Sequence, residues 1–521
     1  MPNNDESTLP IFRLGDGRMT RDILDRLTHG ANAPLPPVEP GPPPPGNIMS
    51  RAPLGPRLDF VDGDTTYIHQ GKLWRPSPEP VDFTDEVGAI EKAEQVLRPV
   101  GLLAQDHPDI AFERRSTDGT RIAIFDTETQ QRVPANGKAF VQLDLQVRYS
   151  LFARVDHPTF GDDQRVPVIG PGSTAGVTVG PGGEVLGLRY GARRVTARID
   201  GFEMISKADS AEALLKTLKP LDVRINDSVA AYKHVIDKDG PLLSPVWVHS
   251  ADVRVYGRWF PLKRMTLSAI RGGRLRSGLT CGGPAPPSIK TNPNGPVPRA
   301  AAYWLTGPGW CNEANAKRFL GDLQAAGWTI ALAHGGNEAI VTDWTKQGSQ
   351  LVDGANIVFY SGHADGDGWS LKEPSGAAAS FDKPPSVTFG DQGPRSLNWI
   401  VISACGPMQD LAVESPQHDV FKWRGMFNGL HMLLGHAVEI GDDPEEGRRF
   451  VKRCLAGYSV AEAWFLAASD VGGGILETWP GILYPRNADD EGTLGNKLAG
   501  NGQPVEPSVP PKQFVAMWVP S

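Results

Sequence analysis

From about residue 300 onward the chain alternates long apolar runs with helical periodicity. AAYWLTGPG (301–309), WTIALAHGG (328–336), ANIVFYSGH (355–363) and LNWIVISACG (397–406) are continuous apolar stretches, each closed by small residues. Such runs predict strands buried on both faces. NEANAKRFLGDLQAAG (312–327) has apolar positions at helical spacing, with Asn312 at its start and Gly327 at its end. RGMFNGLHMLLG (424–435) reads as a helix continuing into a short strand, HAVEIG. GRRFVKRCLAGYSVAEAWFLAASDV (447–471) reads as a helix pair pivoting near Gly457. Strands alternating with helices predict an α/β domain: a mainly parallel sheet flanked by helices, with its site at the carboxyl ends of the strands.

Residues 85–270 have a different texture, and the pattern predicts an α+β module. Glu86 to Leu103 reads as an amphipathic helix with a stripe of Val87, Ile90, Ala93, Val96 and Leu97. RIAIFDT (121–127) and AFVQLDLQVRYSLFARV (139–155) read as strands, the second alternating through Val141, Leu143, Leu145 and Val147. In 165–191, Gly-Pro and Gly-Gly pairs separate short strands. SAEALLKTLKP (210–220) reads as a helix capped by Ser210, followed by strands in VAAYKHVI and LLSPVWVHSADVRVYGRWF.

Two further segments complete the division. Residues 1–84 are an irregular N-terminal arm in which 31–45 holds eight prolines, a run open only to polyproline II. It reads as a spacer, or as an extended arm docked on its own protein or on a protein partner. Residues 271–300 read as a Gly/Pro-rich linker carrying Arg271, Arg274, Arg276 and Arg299. The domain expectation is therefore 1–84, 85–270, 271–300, an α/β domain over 301–490, and a tail over 491–521.

Composition narrows the classes. Gly and Pro make up about a fifth of the 521 residues, above the roughly 12% of average chains, which fits many turns. The net charge of −8 gives no basic surface for nucleic acid. No apolar run reaches membrane-spanning length. The opening MPNNDESTLPIF has no basic region leading into an apolar one. The expectation is a cytoplasmic chain with no nucleic-acid or membrane partner. Four cysteines, Cys281, Cys311, Cys405 and Cys454, show no C-x-x-C spacing, so neither a disulfide scaffold nor a metal site is expected, and no cofactor. Cys311 and Cys454 read as packing residues. His334, His431 and His436 read as structural.

Two apolar runs deliver a reactive residue at their ends: His363 after IVFYSG and Cys405 after WIVISA. A thiolate nucleophile needs a base beside it, and imidazole supplies one near neutral pH. Adjacent parallel strands would bring both to one sheet edge. The small residues around them, including Gly362, Ala364 and Ala404, leave room for a substrate backbone and for oxyanion-binding amides. Asp365, Asp367 and Trp369 are candidates for a substrate pocket, with Asp-Gly turn chemistry as the other reading of the two acids.

Two resemblances bear on these motifs. VPVIGPGSTAGVTVGPGGEVLGL, with SPVWVHSADV after it, resembles the sheet of PepSY-type and thermolysin-propeptide-type domains, which implies a prodomain-like or inhibitory module over 85–270. FYSGHADGDG resembles the histidine motif of metacaspases and their relatives. VISACGPM resembles the cysteine motif of the CHAT and gingipain-like branches, and FVKRCLAGYSVAEAWFLAA their closing helices. This second resemblance covers about 300–480 and implies a bacterial caspase-like cysteine peptidase, with His363 as base and Cys405 as nucleophile acting on a protein or peptide. One departure stands out: the family's His-Gly is His363–Ala364 here. The expected function is a cysteine endopeptidase held latent by its N-terminal domain. A degenerate caspase-fold scaffold and a thiol-dependent transpeptidase or ligase use the same residues.

Overall fold

The computed structural model describes residues 8–15, 56–61, 64–69, 72–74, 83–98, 109–129, 131–133, 140–155, 165–170, 172–191, 195–219, 221–237, 240–255, 258–271, 285–306, 311–345, 349–372, 378–382, 388–390, 397–412, 419–471, 478–486, 493–498 and 511–519. The Pro-rich run at 31–45 and Cys281 lie outside these residues. The fold is mixed α/β and dominated by strands, arranged as a 13-stranded sheet, a 10-stranded sheet and a 3-stranded ribbon.

The 10-stranded sheet carries the candidate site. Its order begins Thr329–Gly335, Arg299–Trp304, Ile357–Ser361, Trp399–Ser403, Met432–His436, and these five strands run parallel. Pro480–Pro485, Gln513–Trp518, Arg121–Asp126 and Gln131–Val133 then continue it antiparallel. Every residue of Ile357–Ser361, Trp399–Ser403 and Met432–His436 is buried, which is why these stretches read as unbroken apolar runs. For Met432–His436 the expected helix is a strand. A short run apolar on all sides fits either element, and the slot beside Trp399–Ser403 decides it.

One face of this sheet is helical. Asn312–Ala325, Glu446–Leu455 and Val460–Val471 lie over it in a shared core. Phe319 stacks on Phe359 at 4.6 Å, and Trp464 meets Phe450 edge-on at 6.1 Å. Each such side chain contributes roughly 1.5–3 kcal/mol by leaving water. The last two helices turn at Gly457, whose φ of +97° suits a residue without Cβ. The other face is covered differently from the expected helical layer: an aromatic layer of Trp344, Trp369 and Trp423 closes it.

The 13-stranded sheet is built mainly from residues 8–268 and centres on a long hairpin, Asp222–Asp237 with Gly240–Val255. Helix Glu86–Leu97 packs on it through Ala89, Ala93, Val96 and Leu97. Val87, assigned to the buried stripe by periodicity, is 69% exposed. The second helix is Lys207–Thr217, and its cap is Ser206, which accepts the Asp209 N–H at 3.1 Å. Ser210, expected as that cap, is buried inside the helix and bonded to His249 at 2.9 Å.

Strand pairing crosses the expected linker. Arg121–Asp126 pairs with Gln513–Trp518 over six residues, so residues from the 85–270 stretch and from the 491–521 stretch stand side by side in one sheet. Among the described residues no helix is long and apolar enough to cross a membrane.

Candidate active site

Ser361 and Ser403 are Cα partners, the last pair in the parallel ladder between Ile357–Ser361 and Trp399–Ser403. His363 and Cys405 each follow two residues later, so both leave the sheet at the same edge and level. The turn into His363 is shaped by Tyr360. Its hydroxyl donates to the Ser370 carbonyl at 2.6 Å and accepts the His363 amide N–H at 3.1 Å. A Cβ on Gly362 would fall 2.2 Å from that hydroxyl, so glycine there makes room for Tyr360. After Cys405, Gly406 sits at φ +66° and donates to the Val438 carbonyl at 3.2 Å.

The resting electrostatics are those of neutral groups. His363 is 3% exposed and Cys405 1%. Burial, then the nearby Lys263 ammonium, pulls the His363 imidazole down to about 3. Burial, then Glu439, pushes the Cys405 thiol up to about 12. The Cys405 sulfur takes the backbone N–H of Ile440, on the flank away from the His363 strand. Of the expected oxyanion donors, the Gly362 amide points to the Ser403 carbonyl at 3.4 Å. Ala364 and Ala404 are fully buried.

The expected pocket residues separate. Asp365 accepts the Asp367 N–H at 2.9 Å, an Asp-centred turn. Trp369 is fully buried between Trp344 and Trp423, so it belongs to the aromatic layer. His334 bonds Asp343 at 2.9 Å and His431 bonds Asn496 at 3.1 Å. Cys405 and Cys454 are free and buried, whereas Cys311, expected to be a packing thiol, is disulfide-bonded. Among the described residues no group of three or more His, Cys, Asp or Glu could hold a metal ion.

A buried polar cluster lies directly under this edge, and sequence reasoning did not assemble it. Lys263, 5% exposed, reaches in from between Arg258–Pro261 and Met265–Ser268. It donates to Ser361 Oγ at 3.3 Å and Ser403 Oγ at 3.2 Å. Asn315 Nδ2 donates to the same hydroxyls at 3.3 and 2.9 Å. Ser361 donates to Asn312 at 3.1 Å, and Ser403 to Glu446. Glu446 also bonds His436 Nε2 at 2.8 Å. Burial alone would raise the Glu446 carboxyl, but His436 and Lys263 hold it below its usual value. Asn312 and Asn315, three apart on the buried face of their helix, were the signal available in the sequence. Lys263 left none.

The segment carrying Lys263 covers the edge. The Arg264 N–H donates to the Ile440 carbonyl at 2.8 Å, and Arg264 O accepts the Asp442 N–H at 3.2 Å. Ser250 donates to Glu439 at 3.0 Å. Arg258–Pro261 packs beside Ala364–Asp365. Both candidate residues thus lie under strands of the 13-stranded sheet.

Residues 310–520 match the model of a domain of unknown function (DUF6345). No curated protein matches the chain. Among solved structures, an uncharacterized protein from Eubacterium rectale is similar at 11% identity and a TM-score of 0.26, over 52% of this chain and 86% of that one.

Proposed function

We propose that the chain is a cysteine endopeptidase of the caspase-like type in a latent form, with Cys405 as nucleophile and His363 as base. The observation that carries this reading is the Ser361–Ser403 register, which sets the two residues at matched heights on adjacent parallel strands. In catalysis His363 would take the thiol proton, the thiolate would add to a peptide carbonyl, and the imidazolium would protonate the amine as the C–N bond breaks; water, deprotonated by His363, would then hydrolyse the Cys405 thioester and return the thiol. A thiol held near 12 and an imidazole held near 3 both stay neutral at pH 7. Latency follows, and water must reach the pair before it can act. Lifting the Lys263 segment would admit it. The same neutrality favours a second reading, a caspase-fold scaffold with a silent dyad.

The test uses the full chain, intact and after limited proteolysis between 271 and 300, with a fluorogenic peptide panel and iodoacetamide mapping. Expected is slow Cys405 labelling in the intact chain, then faster labelling with peptide hydrolysis after cleavage. Cys405→Ala removes that hydrolysis, and His363→Ala lowers it about 100-fold or more. Hydrolysis surviving in Cys405→Ala, or a labelled yet inactive cleaved chain, overturns the peptidase reading; the second result supports the scaffold.

A further inference from the structure

Away from the dyad, a cavity of about 180 Å³ opens between the 13-stranded sheet and helix Val460–Val471. Strand register explains it. Across the sheet, Ser116, Arg148, Gly176, Arg189 and Thr66 stand in one row. Gly176 contributes no side chain, so the two arginines flank a gap. A Cβ there would meet nothing closer than the Val147 carbonyl at 3.7 Å, and no positive φ demands glycine at this position. Trp74 and Phe465, 5.0 Å apart, supply apolar wall from the two sides. Trp74 is held at φ +56°, and among the described residues it is the non-glycine with positive φ.

The row carries two arginines and no acid. Arg148 Nη2 donates to the neutral Gln146 amide at 2.7 Å, and among the described residues no carboxylate forms an ion pair with it. Burial pulls its guanidinium down to about 10 against the attraction of Asp118 and Asp144, so an anion in direct contact would be favoured. Arg115 lines the same wall. Arg189 pairs with Asp470, but that one carboxylate also serves Arg453 at 2.7 Å and Arg449 at 3.6 Å. Asp118, the acid on the wall, already bonds Arg121 at 3.1 Å and the Gly119 N–H at 2.8 Å.

We propose that this cavity binds a small organic carboxylate whose apolar body is about one ring wide. The carboxylate would lie between Arg148 and Arg189 above Gly176, where planar guanidinium groups match it in two-point fashion. The body would rest against Trp74 and Phe465. The size agrees, because a cavity of roughly 150 Å³ holds a benzene ring.

Titration calorimetry on the full chain tests this with benzoate and its neutral isostere, benzamide. Benzoate is expected to bind and to change tryptophan emission, and benzamide to bind about tenfold or more weakly. Arg148→Met should lower benzoate affinity by about ten- to hundredfold, the loss of one charge-assisted contact. Gly176→Val should abolish binding by filling the gap, while valine in a strand leaves the fold at least as stable. No heat with benzoate up to about 10 mM, equal binding of benzamide, or parental affinity in folded Arg148→Met and Gly176→Val would each overturn the proposal.

Discussion

His363 is neutral because it is dry, and that has a cost in acid. Its imidazole is pulled to about 3 by burial and by Lys263, whereas in the unfolded chain it titrates near 6.5. The unfolded state therefore binds the proton first. The stability held above pH 6.5 is lost as pH falls from there toward 3, at about 1.4 kcal/mol per pH unit for this residue. His249 and His431, each pulled to about 4 chiefly by burial, act with the same sign. Urea melts at pH 7, 6 and 5 should show falling midpoints, and His363→Gln should flatten the slope by about one proton. A pH-independent midpoint would contradict the neutral assignment. The sequence marked His363 and Cys405 because each follows an unbroken apolar run. It could not give their ionisation, which is set first by burial, then by Lys263 for the histidine and by Glu439 for the thiol.

At the scale of elements, the Lys263 segment couples the two sheets. Its ammonium is buried among Ser361, Ser403 and the hydroxyl-linked carboxylate of Glu446. Lys263→Met leaves that carboxylate to His436 and takes the ammonium donor from the two hydroxyls, and a loss of about 1–3 kcal/mol is expected in a denaturant melt. Adding Glu446→Gln should return part of it, and two melts with unchanged midpoints would remove the cluster from the fold's support. The parallel strands were legible because burial on both faces makes each run apolar throughout. The helix expected at 424–435 misled for the same reason: Met432–His436 is apolar on all sides, and its neighbours alone make it a strand. Ser210 misled as a cap because a serine inside a helix and a serine before one differ only in what stands opposite, here His249.

For the whole molecule, the decisive feature is the pairing of Arg121–Asp126 with Gln513–Trp518. No local pattern announces it, since either strand alone reads like any other. Ending the chain at residue 510 removes the strand between Pro480–Pro485 and Arg121–Asp126 and bares two edges over an apolar core. The truncated chain is expected in the insoluble fraction; a soluble, monodisperse product on size exclusion would show that the edges tolerate exposure. The same pairing sets a clock on biosynthesis. Thr127 bonds the carbonyl of Pro511, 384 residues further on. At roughly 5–20 residues per second, that partner leaves the ribosome about 20–80 s later. Throughout that interval the nascent chain carries a strand with one edge still unmatched, an exposure of the kind that holding chaperones cover during synthesis.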